Sequence, residues 1–197
     1  MSWRLVSIVG PPASGKTTLA EGLAEELPAT LVREDYAGNP FLAESYVGSR
    51  RARLPGQLYF LLSRVKQLSR PAPGDGGVAA VSDYGFCQDA IYAHLRLDGP
   101  DLDIYKVVAE RVGSLVHPPD VMIFLDAPTP VLLERIAGRG RRYEAAMTAS
   151  FLDEMRRRYS EVRAGLICPA VSIDTQAVDV RDQRQRAGVV QAVRERL

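Results

Sequence analysis

Gly10-Pro11-Pro12-Ala13-Ser14-Gly15-Lys16-Thr17, written GPPASGKT, decides the fold. It follows the apolar run Leu5-Val6-Ser7-Ile8-Val9 and leads into KTTLAEGLAEE, a helical pattern over Lys16 to Glu26. Two glycines flank four residues, and Lys16 and Thr17 follow at once. The spacing is G-x-x-x-x-G-K-[ST] between a strand and a helix, the context in which a loop turns its N–H groups onto phosphate oxygens. The helix adds its positive end. Residues Gly10 to Thr17, with Thr18, are therefore read as a nucleotide phosphate cradle. Lys16 is expected on the β- and γ-phosphates and Thr17 on Mg²⁺.

Outward from that loop, short apolar β-branched runs alternate with helical patterns. Strands are expected at Arg4 to Val9, Thr30 to Arg33, Val78 to Ser82, Val121 to Leu125 and Ala170 to Ile173. Helices are expected at Lys16 to Glu26, Pro40 to Val47, Leu54 to Arg70, Gln88 to Leu97, Leu102 to Leu115, Pro130 to Ala137, Glu144 to Gly165 and Asp182 to Leu197. The alternation predicts an α/β fold of P-loop NTPase type, a five-stranded parallel sheet covered by helices. PAPGDGG at Pro71 to Gly77 reads as a surface loop, and Thr129-Pro130 as a cap followed by a first-turn proline. No linker divides the chain, so residues 1–197 are read as one domain.

Composition narrows the function. With 25 basic and 24 acidic residues the net charge is +1, which gives no electrostatic case for nucleic acid as a partner. Two cysteines without metal-ligand spacing argue against a disulfide framework and for a reducing cytoplasm. No stretch reaches the length of a membrane span. The opening MSWRLVSIVG is too soon interrupted by Gly10 for a signal peptide. An N-K-x-D base-reading motif is absent, D-x-x-G at Asp35 to Gly38 is too loose to count, and VMIFLDAP has Ala127 where a motor ATPase has its second acid. These absences favour a small-molecule kinase using ATP and Mg²⁺.

Acceptor chemistry is sought at strand ends and on apolar helices. Glu34 and Asp83 each follow a strand, where ligands sit in open α/β sheets. One carboxylate could take a hydroxyl proton and the other hold Mg²⁺ through water; either could equally be a solvated turn residue. Asp126, before Pro128, is read as a cap. In LPGQLYFLLSRVKQLSR, Leu58, Leu61, Leu62, Val65 and Leu68 form an apolar arc extended by Phe60, and Gln57 and Arg64 fall inside it. A buried amide and guanidinium need partners, supplied either by a planar base or by an internal salt bridge and a backbone bond. ERIAGRGRRYE places Arg135 and Arg139 one turn apart, then loosens at Gly138 and Gly140 before Arg141. That pattern is read as an arginine-bearing lid at about residues 138–144 rather than a plain basic helix end. His94 and His117 are read as structural, and no thiol chemistry is expected of Cys87.

With these residues in hand the chain resembles the deoxyribonucleoside kinase family, above all its bacterial purine-type members. The likeness runs from the phosphate loop to about Ile173. GPPASGKTT, RED with NPFLAESY, QLYFLLSRVKQ, SDYGFCQDAIYA, YKVVAERV, PDVMIFLDAP and RIAGRGRRYE occur in the family's order. The resemblance implies Glu34 as general base on a 5′-hydroxyl, and Gln57, Arg64 and Asp89 as the base-reading trio. It implies Tyr46 and Glu144 on the sugar 3′-hydroxyl, Asp83 near Mg²⁺, and Arg135, Arg139 and Arg141 over the phosphates. It further implies a homodimer and a purine deoxynucleoside acceptor. Many animal-type members carry Glu-Arg-Ser where this chain has Asp83-Tyr84-Gly85; the purine-type members tend towards Asp-Tyr. A nucleoside-monophosphate kinase and a nucleotide-binding regulatory module remain the alternatives.

Overall fold

The computed structural model describes residues 4–69 and 80–197. The chain runs β1 (Leu5–Val9), α1 (Lys16–Glu26), β2 (Thr30–Val32), α2 (Leu42–Val47), α3 (Arg53–Leu68), β3 (Ala80–Ser82), α4 (Cys87–Arg96) and α5 (Gly99–Gly113). It continues through β4 (Val121–Asp126), α6 (Thr129–Arg139), α7 (Ala149–Ala164), β5 (Ala170–Asp174) and α8 (Gln183–Arg194). The loop read at Pro71 to Gly77, and the expected ends at Arg70 and Val78, lie outside the described residues.

The five strands form one parallel sheet in the order β2-β3-β1-β4-β5. Every residue of β1 is buried, as a strand covered on both faces requires. Leu19 and Leu23 of α1 meet Val189, Val190 and Val193 of α8 in one apolar layer, against Val6, Ile8, Ile123 and Leu125 of the sheet. On the other face Ile91 of α4 and Met155 and Tyr159 of α7 pack on Val9, Met122 and Phe124. Strand order reverses direction at β1, so the loop after β1 opens into the crevice beyond the strands' carboxyl ends. Glu34 follows β2 and Asp83 follows β3, both at the carboxyl ends of their strands.

Gly10 shows why the loop needs glycine. Its φ is 151°, and a Cβ there would collide with the main-chain carbonyl oxygen of Leu125 in β4. That oxygen belongs to the core strand and cannot yield. Gly10→Ala is expected to cost about 1–3 kcal/mol and to weaken nucleotide binding. Thermal melting and an ATP titration check it; a variant that melts and binds like wild type would contradict this account of the loop.

Four local readings are corrected. The helix expected from Glu144 begins at Ala149, capped by the Thr148 hydroxyl, which accepts from Phe151 N at 3.2 Å; Arg142–Glu144 instead form a 3₁₀ turn. Thr129 lies inside α6 and its hydroxyl donates to Asp153, so it is not the cap. Asp126 caps nothing: its carboxylate takes two bonds from Arg156, at 2.8 and 2.9 Å. Leu62, placed in the apolar arc, is 52% exposed, because Gln57, Phe60, Leu61, Arg64, Val65 and Leu68 make the buried face of α3.

Candidate active site

A cavity of about 490 Å³ opens beyond β1 and β2. Lys16, Thr17 and Thr18 form its phosphate-loop end; Glu34, Gln57 and Arg64 form its far wall. That is the size range of a small-molecule site. The loop itself is held by its lysine. Lys16 Nζ donates to the carbonyl oxygens of Gly10 and Pro11, both at 2.9 Å. Ala13 adopts a φ of 61° and Gly15 one of 94°, the left-handed turns that bring N–H groups inward. Thr17 Oγ1 donates to Asp83 Oδ2 at 2.7 Å, and Glu34 N donates to Asp83 Oδ1 at 2.8 Å. Asp83 thus ties the loop's helix to the residue that follows β2. Burial pushes its carboxyl up, opposed by these two bonds.

Among the described residues no group of three or more His, Cys, Asp or Glu side chains could hold a metal. The Thr17 hydroxyl and Asp83 carboxylate are hard oxygen donors. Such a pair suits Mg²⁺, which takes its other ligands from phosphates and water.

Glu34 sits in a buried charge network. Arg64 bridges it to Asp89: Nη2 donates to Glu34 Oε1 and Nη1 to Asp89 Oδ1. All three side chains are almost fully buried. Burial works against the guanidinium's charge, but the two carboxylates outweigh it and hold Arg64 above its usual value. Gln88 Nε2 also donates to Glu34 Oε1, at 3.2 Å, and accepts through Oε1 from the Tyr159 hydroxyl at 3.1 Å. Glu34 Oε2 makes a marginal 3.5 Å contact with Gln88, and the Tyr36 side chain also hydrogen-bonds the Glu34 carboxylate from the cavity wall. Gln57 Nε2 donates to Asp89 Oδ1 at 2.7 Å and to its carbonyl oxygen at 3.1 Å. The internal salt bridge weighed from the sequence therefore exists, and Gln57 and Arg64 line the cavity as well.

Arg135, Arg139 and Arg141 line the cavity with the loop residues. Arg135 donates to Thr175 Oγ1 at 2.9 Å and to the Thr175 carbonyl at 2.7 Å. Arg139 pairs with Glu144, and Arg141 lies 3.6 Å from the same carboxylate. Gly140 takes a φ of 63°, ending α6 and turning the chain into the 3₁₀ segment. Tyr143 of that segment packs on Tyr46 of α2, rings 5.5 Å apart, and the Arg96 guanidinium covers Tyr46 at 3.8 Å. Burial raises the Tyr46 phenol to about 12. A second cavity, of about 470 Å³, adjoins the loop beyond Arg135 and is lined by Thr175, Gln176 and residues 178–181.

Most residues singled out from the sequence thus surround one crevice. Asp89 and Asp83 differ: Asp89 lies behind Gln57 and Arg64 at 1% exposure, Asp83 is held between Thr17 and the Glu34 amide at 4% exposure, and neither lines the cavity. Tyr84 is fully buried under Arg64, 5.7 Å from it, and its hydroxyl donates to Gln67 Oε1 at 2.5 Å. It does not reach the cavity where the animal-type pattern has an arginine. Sequence reasoning missed Gln88, Tyr36, Phe60, Tyr92 and Arg96 on the wall. Phe60 was taken only as core, although it shares the face of Gln57 and Arg64. His94 Nδ1 meets the Ala90 carbonyl at 2.7 Å within its own helix, and burial lifts the Cys87 thiol to about 11, so neither is set up for chemistry.

Burial lowers the Lys16 ammonium to about 8, opposed by Glu34 and Asp83. Phosphate oxygens replacing the two carbonyls would raise it again. Above pH 8 the free protein therefore carries a neutral Lys16 that must take up a proton when ATP binds. ATP affinity is expected to fall as pH rises through about 8. Calorimetry at pH 8.5 in buffers of differing ionisation enthalpy reads that uptake; proton release, or none, would contradict it.

The family model described as deoxynucleoside kinase matches residues 6–197. A deoxyguanosine kinase of Bacillus subtilis strain 168 is 29% identical over 152 residues, 76% of this chain and 73% of the relative. A deoxyadenosine/deoxycytidine kinase of the same organism is 28% identical over 185 residues, 89% and 84% of the two chains. A solved deoxyadenosine kinase from M. mycoides, with bound dCTP, superposes with a TM-score of 0.81 at 20% identity, covering 98% of this chain and 100% of that one.

Proposed function

This chain belongs to the deoxynucleoside kinase family of ATP-dependent phosphotransferases, and we propose that it transfers the γ-phosphoryl group of ATP to the 5′-hydroxyl of a purine deoxyribonucleoside. Deoxyadenosine and deoxyguanosine are the acceptors, the choice favoured by the names of its relatives. The observation that carries the reading is the placing of Glu34 in one cavity with the phosphate-loop lysine and the Gln57–Arg64 wall.

Glu34 accepts the proton of the 5′-hydroxyl at its carboxylate, while Arg64 and Gln88 hold Oε1 in place. Lys16 trades its two loop carbonyls for phosphate oxygens, and the loop N–H groups take the rest of that charge. Arg135, Arg139 and Arg141 neutralise charge on the moving phosphoryl oxygens, the last two from a lid at residues 138–144. Thr17 and Asp83 would hold Mg²⁺, which when bound would spread the phosphate charge. Tyr46 and Glu144 take the sugar 3′-hydroxyl. Gln57 and Arg64 meet the base, with Asp89 behind them. The cavity at residues 175–181 receives the base of ATP.

The protein works as a homodimer in the cytoplasm. Leu62 of α3 and Ile104 and Val107 of α5 are exposed at 52%, 49% and 70%, apolar surface suited to a second copy. Coupled ADP release in the presence of deoxyadenosine or deoxyguanosine, and not of their monophosphates, is the test. ADP release that needs a monophosphate would move the assignment to nucleoside-monophosphate kinases; ATP binding with no acceptor-dependent release would make the chain a regulatory module.

A further inference from the structure

We infer that Tyr105, a residue of α5 that does not line the cavity, is a positioning residue for base recognition: through Asp89 it fixes which end of the Gln57 amide faces the acceptor's base. The inference rests on the acceptor reading above. Tyr105 is 3% exposed, and its hydroxyl donates to Asp89 Oδ2 at 3.1 Å. The other carboxylate oxygen, Oδ1, takes Gln57 Nε2 and Arg64 Nη1. Both oxygens are engaged by donors on two different helices, so the plane of the carboxylate is pinned.

The consequence falls on Gln57. A carboxamide nitrogen carries two hydrogens, and here one goes to Asp89 Oδ1 and one to the Asp89 carbonyl. Turning the amide over would set its oxygen against two acceptors, one of them charged. The amide is therefore locked with Nε2 towards α4, which leaves Oε1 for the cavity. Gln57 offers the base an acceptor and Arg64 its remaining N–H donors. A locked amide discriminates between base edges; a free one meets donor and acceptor alike. Asp89 sets this order without touching the base, and Tyr105 holds Asp89.

Protonation of Asp89 provides an independent readout. Burial raises its carboxyl to about 6, opposed by the Arg64 charge and by the Tyr105 and Gln57 bonds, and reinforced by the Glu34 charge. Those groups reach it from α3, from α5 and from the segment after β2. The neutral acid no longer holds Gln57 and Arg64 with full strength. Loss of the Tyr105 bond removes one of the effects that keep Asp89 ionised, so its titration moves to higher pH.

The test is Tyr105→Phe, which keeps the ring and removes the hydroxyl. kcat/KM is measured for the four deoxynucleosides with ATP and Mg²⁺ from pH 5.5 to 8.5. Wild type is expected to hold its selectivity down to about pH 6 and lose it below. In the variant the ratio of the best acceptor to the others is expected to shrink roughly threefold to tenfold, with the loss setting in at higher pH. In an Asp89→Ala background the same substitution is expected to add no further change, since its route is gone. An unchanged ratio and pH profile, an equal fall for all four acceptors, or full additivity with Asp89→Ala would each overturn the role of Tyr105 in an active enzyme. A wild type that phosphorylates no deoxynucleoside would instead overturn the acceptor reading, and this inference with it.

Discussion

Lys16→Ala is expected to lower turnover roughly 10²–10³-fold or more while melting close to wild type. The two halves of that result have separate causes. In transfer, charge gathers on the β- and γ-phosphate oxygens, and Lys16 is the cation that the loop delivers to them. In the free protein the same ammonium is a burden, for burial holds it down at about 8, and its bonds to the Gly10 and Pro11 carbonyls only offset that cost. Steady-state kinetics and a thermal melt check both. Turnover near wild type would remove the loop from the mechanism.

Glu34→Gln isolates the proton. Glutamine keeps the shape and one carbonyl oxygen for Arg64 but cannot accept a proton at neutral pH. kcat is expected to fall roughly 10²–10⁴-fold, the contribution of a positioned general base, with acceptor binding largely kept. Arg64 loses one of two counter-charges and retains Asp89. The loss of stability should therefore stay below the roughly 3–5 kcal/mol that follows when a buried charge is left with none. A kcat within a few-fold of wild type together with a raised KM would make Glu34 a binding residue.

How much of this was legible in the sequence differs from residue to residue. The phosphate loop was fully so, because glycine spacing, strand and helix all lie within one local stretch. The parallel sheet followed from the alternation of elements, and its five strands fall within two residues of where periodicity puts them. Gln57 and Arg64 stood out as polar side chains on an apolar face, and that anomaly is what the ion pairs of Arg64 and the bonds from Gln57 to Asp89 resolve. The position of Asp89 was not legible. Its helix places it near Gln57, but whether it meets the base or stands behind the wall depends on how α3, α4 and α5 pack. Gln88 and Tyr105 were missed for the same reason: each acts by a contact with a residue at least 16 positions away. Thr148 does not stand out as the start of α7 because Glu144-Ala145-Ala146-Met147 are themselves good helix formers and continue the pattern through the 3₁₀ turn.

The central claim is that the carboxylate after β2 and the phosphate loop after β1 act on a single acceptor hydroxyl. It is tested most directly by identifying the product. Deoxyadenosine or deoxyguanosine, incubated with ATP, Mg²⁺ and the protein, should yield the 5′-monophosphate and ADP in equal amounts, with no 3′-phosphate, by chromatography and phosphorus NMR. ADP formed without a phosphorylated nucleoside, or phosphate carried on the 3′-oxygen, would contradict it.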